Sequence, residues 1–286
     1  MISLFKNILV PVDFSLNTEV AVRQAIELAC TSGSTIHLLH VIKPKSIWSV
    51  IPAGNESVYS GSKDYQVKGV MMKLQEWKHT IEETIPNSNV EIYILEGAIQ
   101  DNIKNTAKQM SPDLIIIGRK SNSIFFTFFN SVYPNSLAKS TDCPVMTVMK
   151  GSLNAKIKII VLPVGCFIPK RKIELVVEFA KKYRAKIQLV ALQNRNGARD
   201  AEKNALLKTY WILRTVLTNP IEYFVLKSNN LPKATLKYAV NIGADMILVN
   251  PGTETKISTL TGRQISDLLE SSSKLKILVV EPYHNK

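Results

Sequence analysis

A chain of 286 residues, 45% hydrophobic and 21% charged, has the make-up of one large globular domain or two ordinary ones, which excludes a disordered or fibrous polypeptide. It holds no apolar run near the ~18 residues of a membrane helix, and its 3 cysteines, none in CxxC spacing, argue against a disulfide framework or a zinc site. The formal charge of +13 lies almost wholly in residues 151–286, where 22 Lys+Arg face 10 Asp+Glu, against 14 and 13 in residues 1–150.

In chain order, residues 7–13 (NILVPVD) form a nearly continuous apolar run, the pattern of a parallel strand buried on both faces. Nothing ahead of it has the charged-then-apolar order of a leader, so the expected compartment is the cytoplasm. Residues 19–29 have helical periodicity, with Val22, Ala25, Ile26 and Ala29 on one face. A second strand is expected over 35–41, which makes His37 and His40 strand residues; no metal site is expected. A loop over about 44–65 holds Trp48, Gly54 and Gly61. Further strands follow at 90–95, 113–118 and 144–148.

The same series then repeats. Residues 159–165 (IIVLPVG) answer 7–13, and 186–192, 221–226, 245–250 and 276–280 answer the four later strands. Ile173, Val176, Val177 and Ala180 repeat the apolar helix face. Strand–helix alternation with right-handed crossovers gives α/β architecture, two tandem doubly wound parallel sheets of five strands. The expected domains are 1–150 and 155–286, joined by a short polar linker. Both closing strands would be exposed sheet edges, so they are expected to lie side by side and antiparallel.

The cysteines are expected to be small buried side chains in a reducing compartment. The basic runs Lys170-Arg171-Lys172 and Lys181-Lys182-Tyr183-Arg184 carry no nucleic-acid motif and are taken as solvated helix faces; nucleic acid and membrane are not expected partners. No serine elbow, Walker loop or Cys/His pairing marks a catalytic centre. Carboxylates are abundant, but no spacing pairs them.

A first strand ending Val-Pro-Val-Asp-Phe-Ser, an Asp-Leu-Ile strand ending in Gly118, and a closing Cys-Pro-Val strand together resemble universal stress proteins. That resemblance covers nearly the whole chain and implies sheets of order 3-2-1-4-5, related to the adenine-nucleotide α-hydrolases. It implies dimerisation through the last strand, here an intrachain pseudo-dimer, with a homo-oligomer or another protein as further partner. It also implies a nucleotide site in some members. Carried onto the first half, that site comprises Pro11, Val12, Asp13, Val41, Ile117, Gly118, Lys120, Ser121 and Ser131. Family members that bind nucleotide place glycines where backbone must approach phosphate; here Ser121 and Ser131 replace two of them. In the second half Gly165 stands for Asp13, and Asn250, Thr253 and Arg263 replace the loop groups.

Asp13 has two readings, a nucleotide contact or an N-cap of the following helix. Arg119 and Lys120 are either counter-ions for an anion or solvated loop cations. Phe125, Phe126, Phe128 and Phe129 either lie on a helix packed between the sheet and the partner half, or form a patch for a partner or fill the vestigial pocket. The expected function is that of a non-catalytic stress-response protein acting by association, with a degenerate nucleotide site and no cofactor. Its alternative is a regulatory module that binds ATP or a related adenylate through the first domain. An α-hydrolase-type enzyme and a polyanion binder using the basic second half are the remaining classes.

Overall fold

The computed structural model describes residues 5–29, 33–43, 58–85, 88–119, 132–193, 200–228, 230–252, 254–255, 269 and 272–283. The chain divides into two compact units, 1–117 and 118–286.

The first unit runs β1 (Asn7–Val12), α1 (Leu16–Ala29), β2 (Thr35–Ile42), α2 (Val58–Thr84), β3 (Asn89–Glu96), α3 (Ile99–Met110) and β4 (Leu114–Gly118). Its strands lie in the order β3-β2-β1-β4, all parallel. The second unit contains α4 (Pro134–Thr141), β5 (Val145–Val148), β6 (Ile159–Val164), α5 (Lys170–Tyr183), β7 (Lys186–Gln193), α6 (Asp200–Val216), β8 (Ile221–Lys227), α7 (Leu231–Asn241), β9 (Met246–Val249) and β10 (Lys276–Val279). Here the order is β5-β10-β9-β6-β7-β8. The series β8-β7-β6-β9-β10 is the expected 3-2-1-4-5 arrangement, parallel throughout. Against it β5 runs antiparallel, with Val145 facing Val279, Met146 facing Leu278 and Thr147 facing Ile277. That pairing covers the apolar edges, and every residue of both strands is buried.

The inner strands are buried because their sequences are apolar on both faces: β1 and β6 share one pattern, half-buried at the first residue and buried at the other five. Two aspartates tie the strands together in the same way. Asp113 Oδ2 accepts the N–H groups of Lys6 and Asn7, both at 2.8 Å. Asp245 Oδ2 accepts those of Lys158 and Ile159, at 2.8 and 3.0 Å. Each satisfies the leading amides of its first strand. A cross-strand polar pair repeats as well: His37 faces Glu91 between β2 and β3, and Gln188 faces Glu222 between β7 and β8.

Five expectations need correction. The buried apolar residues of α1 are Val20, Ala21, Val22, Ala25, Leu28 and Ala29, with Ile26 only half-buried. In α5, Val177 is likewise half-buried, while Leu175 and Phe179 are buried. The same rotation of both helices toward the sheet brings Leu28 and Phe179 inward. Residues from Val58 onward, expected as loop, begin the long helix α2. Cys143 is buried as expected, but Cys166 lies exposed just beyond β6; Cys30 lies outside the described residues. Finally, Lys172 is not on a solvated face: its side chain is fully buried. Among the described residues, no helix is long and apolar enough to cross a membrane.

Candidate functional site

In the first unit the parallel strands end together, and the loop after β1 begins with Asp13. Pro11, Val12, Val41 and Ile117 are all buried, as is Gly118 at the close of β4. Their side chains belong to the core, so only their main chain is chemically available to a ligand. Even there Val12 is engaged, since its carbonyl oxygen lies 2.9 Å from His40 Nδ1. Burial lowers the His40 pKa from its ordinary value, partly offset by this hydrogen bond and by the Asp13 charge.

Asp13 is half-buried and turned toward the start of α1. Its Oδ1 accepts the Ser15 N–H at 3.0 Å and also accepts the Thr18 hydroxyl. Ser15 Oγ accepts the Thr18 N–H at 3.3 Å, the bond of an N-cap to the third helical residue. Both readings of Asp13-Phe14-Ser15 thus meet: Ser15 is the cap, and Asp13 braces it.

The turn forces Phe14 to φ +60°, the left-handed region that an aromatic residue rarely adopts. Its ring lies 5.1 Å from His40 and 5.5 Å edge-on from Trp77, with Lys73 Nζ 5.4 Å from its centroid. Phe14 therefore packs against His40 near the end of β2, one residue before Val41. Sequence reasoning passed over Phe14, because an aromatic after an aspartate has no motif to mark it. Arg119 is half-buried, and its N–H donates to Val148 O at 2.9 Å. Lys120, Ser121, Ser131 and the cluster Phe125–Phe129 lie outside the described residues.

The corresponding place in the second unit is differently furnished. Beyond β6 come Gly165, the exposed Cys166 and the exposed Phe167. Asn250, which follows β9, is buried and donates through Nδ2 to Val280 O at 2.7 Å. Lys172, on the first turn of α5, sends its ammonium to Pro163 O at 2.7 Å and to the Glu254 carboxylate at 3.0 and 2.8 Å. Glu254 Oε2 also accepts the Asn250 N–H at 2.7 Å. Burial pulls the Lys172 pKa below its ordinary value, and the Glu254 charge opposes that shift. No sequence motif announced this pair; Lys172 lay within a basic run, and Glu254 within a loop without glycine spacing. Among the described residues, no group of three or more His, Cys, Asp or Glu is placed to hold a metal.

The universal stress protein family model matches residues 4–149, half of the chain. Among solved structures, a universal stress protein from Archaeoglobus fulgidus DSM 4304 is 14% identical, with a TM-score of 0.72, covering 99% of this chain and 100% of its own. A candidate universal stress protein from Pseudomonas aeruginosa UCBPP-PA14 is 13% identical, with a TM-score of 0.58, covering 97% of this chain and 94% of its own. At such identities these likenesses establish the fold. No curated protein matches. The repeated α/β sheets thus have full-length counterparts and the first repeat carries the family's sequence pattern: the chain belongs to the universal stress protein family.

Proposed function

We propose that the protein is a non-catalytic universal stress protein that acts by association, with a degenerate adenylate site in its first repeat. The repeats are residues 1–150 and 155–286, working as an intrachain pseudo-dimer in the cytoplasm, with a second copy or another protein as partner. The antiparallel pairing of β5 with β10 supports the pseudo-dimer. The observation that carries the functional reading is the engagement of Asp13: its Oδ1 serves Ser15 and Thr18, and the neighbouring Phe14 ring covers the end of β2. Pro11, Val12, Val41, Ile117 and Gly118 contribute main chain only, and the hydroxyls of Ser121 and Ser131 with Lys120 are what remains of a phosphate loop. No cofactor belongs to this reading.

The test is mass spectrometry of ligands retained by the purified protein, followed by calorimetry with ATP and AMP. The expected outcome is no retained nucleotide and an affinity weaker than about 100 μM, ~5.5 kcal/mol. Stoichiometric nucleotide in the purified protein would overturn it.

One observation favours the alternative, an adenylate-binding regulatory module. Both side-chain bonds of Asp13 fall on Oδ1 and the residue is only half-buried, which leaves Oδ2 for a ribose hydroxyl. The same calorimetry separates the two readings.

A further inference from the structure

We infer that the second repeat contains an anion site that the chain fills with its own carboxylate: Glu254 is a tethered ligand, held where a phosphate-class oxyanion would otherwise bind. Donors converge on it from two separate elements. The Lys172 ammonium on α5 reaches both carboxylate oxygens, and the Asn250 N–H at the end of β9 reaches Oε2 at 2.7 Å. The cation is itself aimed by Pro163 O at 2.7 Å, from β6. Strands β6 and β9 are parallel neighbours, so these groups lie at the carboxyl edge, where open α/β sheets bind ligands.

The loop after β9 is shaped to deliver the carboxylate. Gly252 takes φ +99°, and its N–H donates to Thr255 Oγ1 at 2.9 Å. The excursion is thereby folded back, so that Glu254 meets the amide four residues before it. Lys172 and Glu254 are both buried, and the ammonium donates to three acceptors, Pro163 O and both Glu254 carboxylate oxygens. An ion pair alone would not require the Asn250 amide. A backbone N–H beside a fixed cation is the donor set that recognises an oxyanion. Because Glu254 is covalently attached, its local concentration exceeds that of any free competitor, and the site stays closed.

The experiment uses the full chain with Glu254→Gly, and inorganic phosphate as the probe against chloride at matched ionic strength. Thermal unfolding and calorimetry are read on circular-dichroism-verified protein. The expected result is a saturable phosphate response in the variant, at least tenfold tighter than in the unmodified chain. Adding Lys172→Met should abolish it. Should Glu254→Gly fail to fold in chloride, phosphate present during refolding should restore it. A folded variant with no added phosphate response overturns the inference, as does a response that survives Lys172→Met, or a misfolded variant that phosphate fails to restore. Phosphate carries no adenosine, so these outcomes are separate from adenylate binding in the first repeat.

Discussion

Lys172 and Glu254, 82 residues apart in sequence, form a buried ion pair 2.8 Å long in the second repeat. Removing one member of such a pair strands the other charge away from water, at a cost of about 3–5 kcal/mol. Lys172→Met and Glu254→Leu are each expected to destabilise the chain by that order. Replacing both with apolar side chains of similar volume, Lys172→Met with Glu254→Leu, should cost much less than the sum. Urea unfolding of the four proteins measures the coupling; simple additivity of the two single effects would show that the pair is not a unit.

Gly151 offers a second test. A Cβ built there would lie 1.9 Å from Ser272 O and 2.1 Å from Ser272 C, both main-chain atoms with no soft end to yield. Gly151→Ala should therefore destabilise by about 2–4 kcal/mol, in the range of large single-site effects. The neighbouring Ser152→Ala should cost only about 1 kcal/mol, for the lost bond from Ser152 Oγ to Met149 O at 2.8 Å. Equal thermal midpoints for the two variants would refute the close-approach account.

The fold was legible because its signals are local and repeated. Runs such as Ile8–Val12 and Ile160–Val164 are buried on both faces, and such strands advertise themselves by composition. The antiparallel meeting of Val145 and Val279 was legible from two apolar edges that needed cover. Gly151 lies in the polar linker, and what requires it is not local: Ser272, a residue 121 positions away. The contents of the two sites were hidden for the same reason. Lys172 stands in a basic run, and only the tertiary meeting with Glu254 makes it a core residue. Phe14 was hidden because its unusual φ comes from an aspartate turn that no spacing rule records.

The first repeat should also be sensitive to mild acid. Burial lowers the pKa values of His37 and His40 below 6.5, more than the nearby Glu91 and Asp13 charges raise them. The unfolded chain then binds more protons than the folded one as pH drops below about 6.5, so stability is lost from there down through the folded pKa values. Above 6.5 these two groups add no slope. His37 Nδ1 lies 3.2 Å from Glu91 Oε2, yet among the described residues neither ring nitrogen makes an aligned hydrogen bond. The Glu91 carboxylate is held by the Tyr93 hydroxyl, and that phenol is pushed up to about 12, chiefly by burial. In the second repeat Gln188 stands opposite Glu222 and donates to it at 2.8 Å. His37→Gln copies that arrangement and removes one titrating group. Unfolding free energies between pH 7.5 and 5 should fall less steeply in the variant, by up to ~1.4 kcal/mol per pH unit. Superimposable profiles would show that His37 is not protonated on unfolding in this range.

The closest question is what keeps adenylate from the first repeat. If Phe14 does so, by lying on the end of β2 against His40 at 5.1 Å, its removal should open the site. Phe14→Gly also suits the φ of +60°, so relief of about 1–2 kcal/mol of backbone strain offsets part of the lost ring packing. The variant is expected to gain at least tenfold in ATP affinity, ~1.4 kcal/mol. Phe14→Leu, which keeps an apolar bulk at the same φ, should gain little. If the phosphate loop is also limiting, Ser121→Gly with Ser131→Gly should add a further gain only in the Phe14→Gly background. Asp13→Asn is the control, because an amide oxygen still accepts the Ser15 N–H and holds the turn while the charge is gone. In the opened variant it should return ATP affinity to the starting level. Calorimetry decides among these outcomes. Equal affinity before and after Phe14→Gly would clear the ring of any blocking role. Tight binding by the unmodified chain, lost in Asp13→Asn, would instead make the adenylate module the working form, with Oδ2 of Asp13 as its ribose contact.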